Sequence, residues 1–161
     1  MLKRHCRCIK PFIGTNIIAA VAGIISIFGF EPYNQIGLLI VGYLTLFVLL
    51  KTHNPGQSFL IGFLFGFFQF MFALRWMFDI FSIYDLSYQI AMTLLMTGII
   101  AIRGLLFGFV GFIAACVPIS KRNSFQWLII FVPAVFCLTE WSREWLFTGL
   151  PLYQPGYAIV G

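Results

Sequence analysis

Charge is what this chain has least of: Asp, Glu, Lys and Arg together make up 9% of its 161 residues, where an ordinary soluble domain carries about 25%. A chain so poor in polar side chains cannot cover a water-facing surface. Histidine and cysteine are also sparse. His5 and His53 lie in separate polar segments, and Cys6, Cys8, Cys116 and Cys137 follow no regular spacing, so no disulfide framework is implied. Cys6 and Cys8 stand too close together for a zinc knuckle, and no second Cys/His pair completes four ligands, so no metal or other cofactor is expected. Also missing are a G-x-S-x-G elbow, a P-loop, an H-E-x-x-H helix and a strand-to-helix G-x-G-x-x-G, which leaves no self-sufficient catalytic site. No repeat of 20–50 residues is found.

What fills the chain instead is apolar: 61% of its residues are hydrophobic, 20 of them Phe. Crossing a bilayer takes about 20 apolar residues. Five runs qualify, near residues 12–30, 36–50, 59–78, 90–116 and 125–141. The second is short, with Tyr33 and Lys51 placed to anchor its ends. The basic start followed by the first run resembles a signal peptide, but the run exceeds the usual 7–15-residue core and more runs follow, so it reads as a retained helix. Glu31-Pro32-Tyr33-Asn34 and His53-Asn54-Pro55-Gly56 read as turns. The expected fold is therefore all-α, a polytopic transmembrane helix bundle of about five spans forming one domain over 1–161. Residues 142–161, rich in Gly and Pro, make an interfacial tail.

Ten Lys and Arg outnumber five Asp and Glu, but they do not gather beside aromatics on a polar face, so no nucleic-acid partner is implied. They sit between the apolar runs and set orientation, because positive residues stay on the cytoplasmic side. Lys3, Arg4, Arg7 and Lys10 place the N-terminus inside, as Lys51 and then Lys121 with Arg122 do for later loops. Glu31, Asp79 and Asp85 fall outside, and so does the tail after Glu140.

Three charged groups stand out. Arg103 lies near the middle of the fourth run, where a charge costs about 2.5–3.5 kcal/mol on insertion scales, so it marks a possible intramembrane polar site. It reads either as a contact to phospholipid phosphate or carboxylate, or as a structural Arg with a helix partner. Arg75 and Asp79 have the spacing of a local ion pair. Glu140, Arg143 and Glu144 share one helix face where the fifth run ends, flanked by Trp141 and Trp145. They read either as a site or as headgroup-level charges within an aromatic belt. Phe63, Phe67 and Phe70 form a stripe facing lipid or another helix.

The stretch from Pro133-Ala134 through Thr139-Glu140-Trp141-Ser142-Arg143, then Trp145-Leu146-Phe147-Thr148-Gly149-Leu150-Pro151 and Gly156-Tyr157, resembles a block of the bacterial apolipoprotein N-acyltransferase family. Phe30-Glu31-Pro32-Tyr33 looks like its turn after the first helix, and Gly62-Phe63-x-x-Gly66-Phe67 with Trp76 looks like its G-F-x-W-G…W segment. The resemblance implies an inner-membrane, multi-pass protein of lipoprotein biosynthesis. It would move an acyl group from a phospholipid to the N-terminal cysteine of a diacylglyceryl-modified lipoprotein. It further implies that Glu140, Arg143, Trp145, Thr148, Gly149, Pro151 and Tyr157 help bind substrate. The family's Glu, Lys and Cys catalytic residues stand in a nitrilase-like domain after the helices, and this sequence ends at Gly161 before one begins. The expectation is a truncated or split product, inactive alone and with no catalytic residue of its own. Glu144 replaces the family's usual Gly and Leu152 its usual Trp, which weakens the inference of preserved activity. Alternatives are a non-enzymatic lipid-binding or partner-binding membrane protein and, third, a small transporter or channel.

Overall fold

A computed structural model describes residues 9–117, 125–146 and Pro155, with side chains except those of 9–12, 143, 144 and 146. Among the described residues every regular element is helical: α1 (Ile9–Ile27), α2 (Ile36–Leu50), α3 (Pro55–Ala73), α4 (Arg75–Phe81), α5 (Leu86–Cys116), a π-helical turn (Trp127–Phe131) and α6 (Val132–Leu146). α3 and α5 are each long and apolar enough to cross a membrane, and the apolar stretches Ile13–Ile27, Ile36–Leu50 and Trp127–Ser142 are shorter. Ile17, Val21, Leu44, Val48, Phe109 and Phe112 face outward around the bundle. An outer surface this apolar suits lipid better than water.

Breakers set most boundaries. After α1 the chain turns through Glu31-Pro32, with Tyr33 N–H donating to the Phe30 carbonyl (3.0 Å) and Gln35 N–H to the Phe28 carbonyl (2.9 Å). Asn34 takes the left-handed conformation (φ 50°) that Asn tolerates better than most residues. Pro55 opens α3 at a position where its missing N–H is harmless, and the Gln57 side chain accepts a hydrogen bond from Asn54 N–H at 3.4 Å.

Two of the apolar runs depart from the simple helices expected. The run at 59–78 breaks at Leu74 (φ −96°, ψ 7°), where α3 ends and α4 starts. Leu74 is buried on Phe70 and Ile100, while Arg75 and Trp76 beyond it are exposed. The break also undoes the expected Arg75–Asp79 pair: Arg75 heads α4, lies over the Phe72 ring at 5.6 Å, and makes no ion pair with Asp79. The last run opens as a π turn and its helix continues to Leu146, past the boundary expected at 141.

α3 is the centre of the bundle, packed most extensively against α5 and next against α1. Small residues make this possible. Ser58, Gly62 and Gly66 stand at every fourth position of α3 and meet a second row on α5, Gly104, Gly108 and Gly111. A Cβ at Gly62 would run into the Phe107 carbonyl, and one at Gly111 into the Ser58 carbonyl. Side-chain-free rows like these let two helix backbones touch, the usual source of association where lipid removes the hydrophobic drive. Phe63 and Phe67, stacked at 5.7 Å, form a half-buried row beside this seam, whereas Phe70 is buried.

Above the seam the four helices meet in an aromatic nest. Tyr43 of α2 lies 5.3 Å from Phe65 of α3, 5.3 Å from Phe136 of α6 and 6.3 Å from Phe107 of α5. Its hydroxyl joins a buried polar link: Gln69 Nε2 donates to Ser26 Oγ (2.9 Å) and to Tyr43 OH (3.3 Å), and Ser26 Oγ donates to the Gly23 carbonyl (2.7 Å). One amide thus ties α1, α2 and α3. Hydrogen bonds between membrane helices average about 0.6 kcal/mol. Gln69→Leu is therefore expected to lower stability by no more than about 1 kcal/mol in detergent, read from the shift in denaturation midpoint of the purified protein.

Candidate functional site

α6 is fixed to the bundle along one face, and its geometry begins with the π turn. Val132 N–H donates to the Trp127 carbonyl, five residues back, so the turn holds one residue more than an α-helical turn. That extra residue brings Trp127 onto the face that Val132, Phe136 and Glu140 continue at intervals of four. Trp127, Val132 and Phe136 are buried. Trp127 Nε1 donates to the Ala114 carbonyl of α5 at 3.3 Å, and Phe136 enters the nest on Phe107 at 5.3 Å.

The same face ends on a charge. Glu140 Oε1 accepts from Arg103 Nη1 of α5 at 2.5 Å, the two side chains being 12% and 2% exposed. Phe70 and Phe107 place their rings 5.0 and 4.9 Å from the guanidinium carbon. Both contacts fall in the range of cation–π attraction, which strengthens when the cation is desolvated. The guanidinium uses one arm only: Nε and Nη2 are buried and have no hydrogen-bond partner among the described residues. The pair is neutral as a whole, which is what allows two charges to sit in apolar surroundings.

Arg103 and Glu140 were separate candidates in the sequence, and the fold makes them one site. Nothing local links them, since they are 37 residues apart. Further along α6, Trp141 and Trp145 are exposed with their rings 6.1 Å apart. Arg143 belongs to α6, but its side chain lies outside the described residues, as do Thr148, Gly149, Pro151 and Tyr157. The buried Gln69 link is a polar feature that sequence reasoning passed over. Its signal was present, as a polar residue inside the third apolar run.

Comparison with known proteins covers nearly the whole chain. Residues 22–161 match the model of the apolipoprotein N-acyltransferase N-terminal domain. The chain is 32% identical over 148 residues to an apolipoprotein N-acyltransferase of Methylococcus capsulatus, a match covering 88% of this chain and 28% of that protein. Similar relatives carry the same name in Vibrio cholerae (30% identical, 89% of this chain and 28% of the relative) and in Rickettsia prowazekii (31%, 90% and 28%). The chain thus spans under a third of the length of these relatives, and the block that matches includes both Arg103 and Glu140.

Proposed function

Since the chain belongs to the apolipoprotein N-acyltransferase family, we propose that it is the membrane portion of an enzyme acylating lipoproteins at their N-terminal cysteine. In this reaction an acyl group leaves the ester of a phospholipid and forms an amide with the cysteine α-amino group, releasing a lysophospholipid. No residue of this chain is assigned to the chemistry. A nitrilase-like domain, on the same chain or a separate one, supplies the Glu, Lys and Cys. The part played here is to keep the phospholipid and the diacylglyceryl-modified lipoprotein in the bilayer beside that domain. Five crossings of a bacterial inner membrane, starting in the cytoplasm, bring the end of α6 to the outer face. The loop charges support this, with basic Lys51 on one side and acidic Asp79 and Asp85 on the other.

The observation that carries the reading is the match through residue 161, whose final block contains Glu140, held to α5 by Arg103. That anchor fixes where the substrate-binding stretch leaves the bundle, from Glu140 and Arg143 through Trp145, Thr148, Gly149, Pro151 and Tyr157. Arginine is apt at such a place because its planar fork matches phosphate oxygens.

Complementation tests it. In a strain depleted of its own N-acyltransferase, this chain alone should not restore growth, whereas co-expression with the nitrilase-like part of a relative should. If the nitrilase-like part rescues equally well without this chain, the chain is not the membrane portion of the enzyme.

A further inference from the structure

We infer that the free edge of Arg103 is a binding site for a phosphoryl group bearing a single negative charge. The edge in question is the side of the guanidinium where Nε–H and one Nη2–H point the same way. It is the face that receives two oxygens of a phosphate or carboxylate together. Glu140 occupies the other arm, through Nη1 alone. Both Nε and Nη2 are buried, and neither has an acceptor among the described residues. Buried guanidinium donors rarely stay unsatisfied, because each has given up its hydrogen bonds to water.

Three features define the occupant. The first is shape, since two parallel donors ask for two oxygens on one atom. The second is charge. Glu140 already neutralises Arg103, so an incoming dianion would bring uncompensated charge into a surrounding built from Phe70, Phe107, Leu74 and Ile100. A phosphodiester, with one charge, fits where a phosphomonoester does not. The third is approach. From Leu86 to Ile99 α5 carries no buried residue, and Ile100 is the first. Helix side chains lean toward the N-terminus, so Arg103 reaches toward this unpacked half. Ile99 and Ile102 beside it are both exposed and apolar, a lining suited to the hydrocarbon of an amphiphile.

The same oxygens belong to a lipid headgroup or to free phosphate, and the experiment separates the sources. The whole chain is purified in dodecyl maltoside, and its thermal unfolding is followed with dioleoylphosphatidylglycerol, dioleoylglycerol or inorganic phosphate added. Phosphatidylglycerol is expected to raise the midpoint by several degrees and dioleoylglycerol to leave it unchanged. An equal rise with inorganic phosphate identifies the occupant as the free anion, and no rise with it identifies the lipid. Arg103→Lys keeps the charge but lacks the fork, and should lose most of the rise. Should that variant fail to fold, Arg103→Met with Glu140→Leu removes the fork and leaves no lone charge, and it should be insensitive to every probe. A native protein that responds to neither phosphoryl probe, or a double variant that responds as the native one does, overturns the site. The site stands apart from the acyltransferase reading: failed complementation leaves it intact, and its own failure leaves the complementation result unaffected.

Discussion

Glu140→Leu is expected to destabilise the bundle by about 3–5 kcal/mol, the usual consequence of removing one partner from a buried ion pair. At 2% exposure Arg103 has no water to turn to, and Phe70 and Phe107 offer only ring faces. The measurement is the unfolding midpoint in detergent, compared with that of the double variant Arg103→Met with Glu140→Leu. The double variant should recover most of the loss, because two apolar side chains of similar length refill the space without a lone charge. Equal destabilisation in the single and double variants would mean that packing around Glu140, rather than charge pairing, secures α6.

Gly62→Leu should be comparably damaging for an unrelated reason. Its Cβ would meet the Phe107 carbonyl, which is backbone and cannot swing away as a side chain can. α3 and α5 must then separate along the seam that holds the bundle together. Overpacking of this kind costs typically about 1–3 kcal/mol, and a collision with backbone belongs at or above the upper end. Gly98→Leu is the internal control: it lies on the same α5, with nothing within 4 Å of its would-be Cβ, and should change stability by less than about 0.5 kcal/mol. Unfolding midpoints of the two variants, measured side by side, should differ sharply. If Gly98→Leu is the worse of the two, the seam is not where the bundle draws its stability.

The helices themselves were legible in the sequence because their signals are local. Hydropathy marks an apolar run wherever it falls, and Pro32 and Pro55 interrupt the chain by their own covalent geometry. The break at Leu74 carries no such mark, for neither Pro nor Gly stands there. It accompanies the burial of one leucine against Phe70 and Ile100, a fact of tertiary packing. The π turn was equally hidden, being visible only as a five-residue step from Trp127 to Val132 once the buried face is known. Spacing alone suggested a pair between Arg75 and Asp79, but the altered start of α4 sent Arg75 onto Phe72.

The candidate site shows the same division. Arg103 announces itself, because a charge inside an apolar run is conspicuous in any sequence. Its partner does not, since Glu140 sits in a cluster whose neighbours Arg143 and Glu144 offer closer and more obvious pairings. Only the aromatic nest, by placing Phe136 against Phe107, brings the residue one turn beyond Phe136 to the level of Arg103. The glycine rows were in plain view at four-residue spacing. Their meaning needed both helices at once, because one row alone does not say what it lets in.

The 37-residue separation of Arg103 and Glu140 also has a bearing on how such a chain is made. At synthesis rates of about 5–20 residues per second, the arginine emerges roughly 2–7 s before its carboxylate exists. For a chain inserted during synthesis, α5 cannot settle into lipid as a neutral unit in that interval. It has to wait at the exit of the insertion machinery, or lie askew with its cation near water, until α6 arrives. The last helix is then what releases the earlier one, and completion of the bundle becomes a single late event instead of a series of independent arrivals.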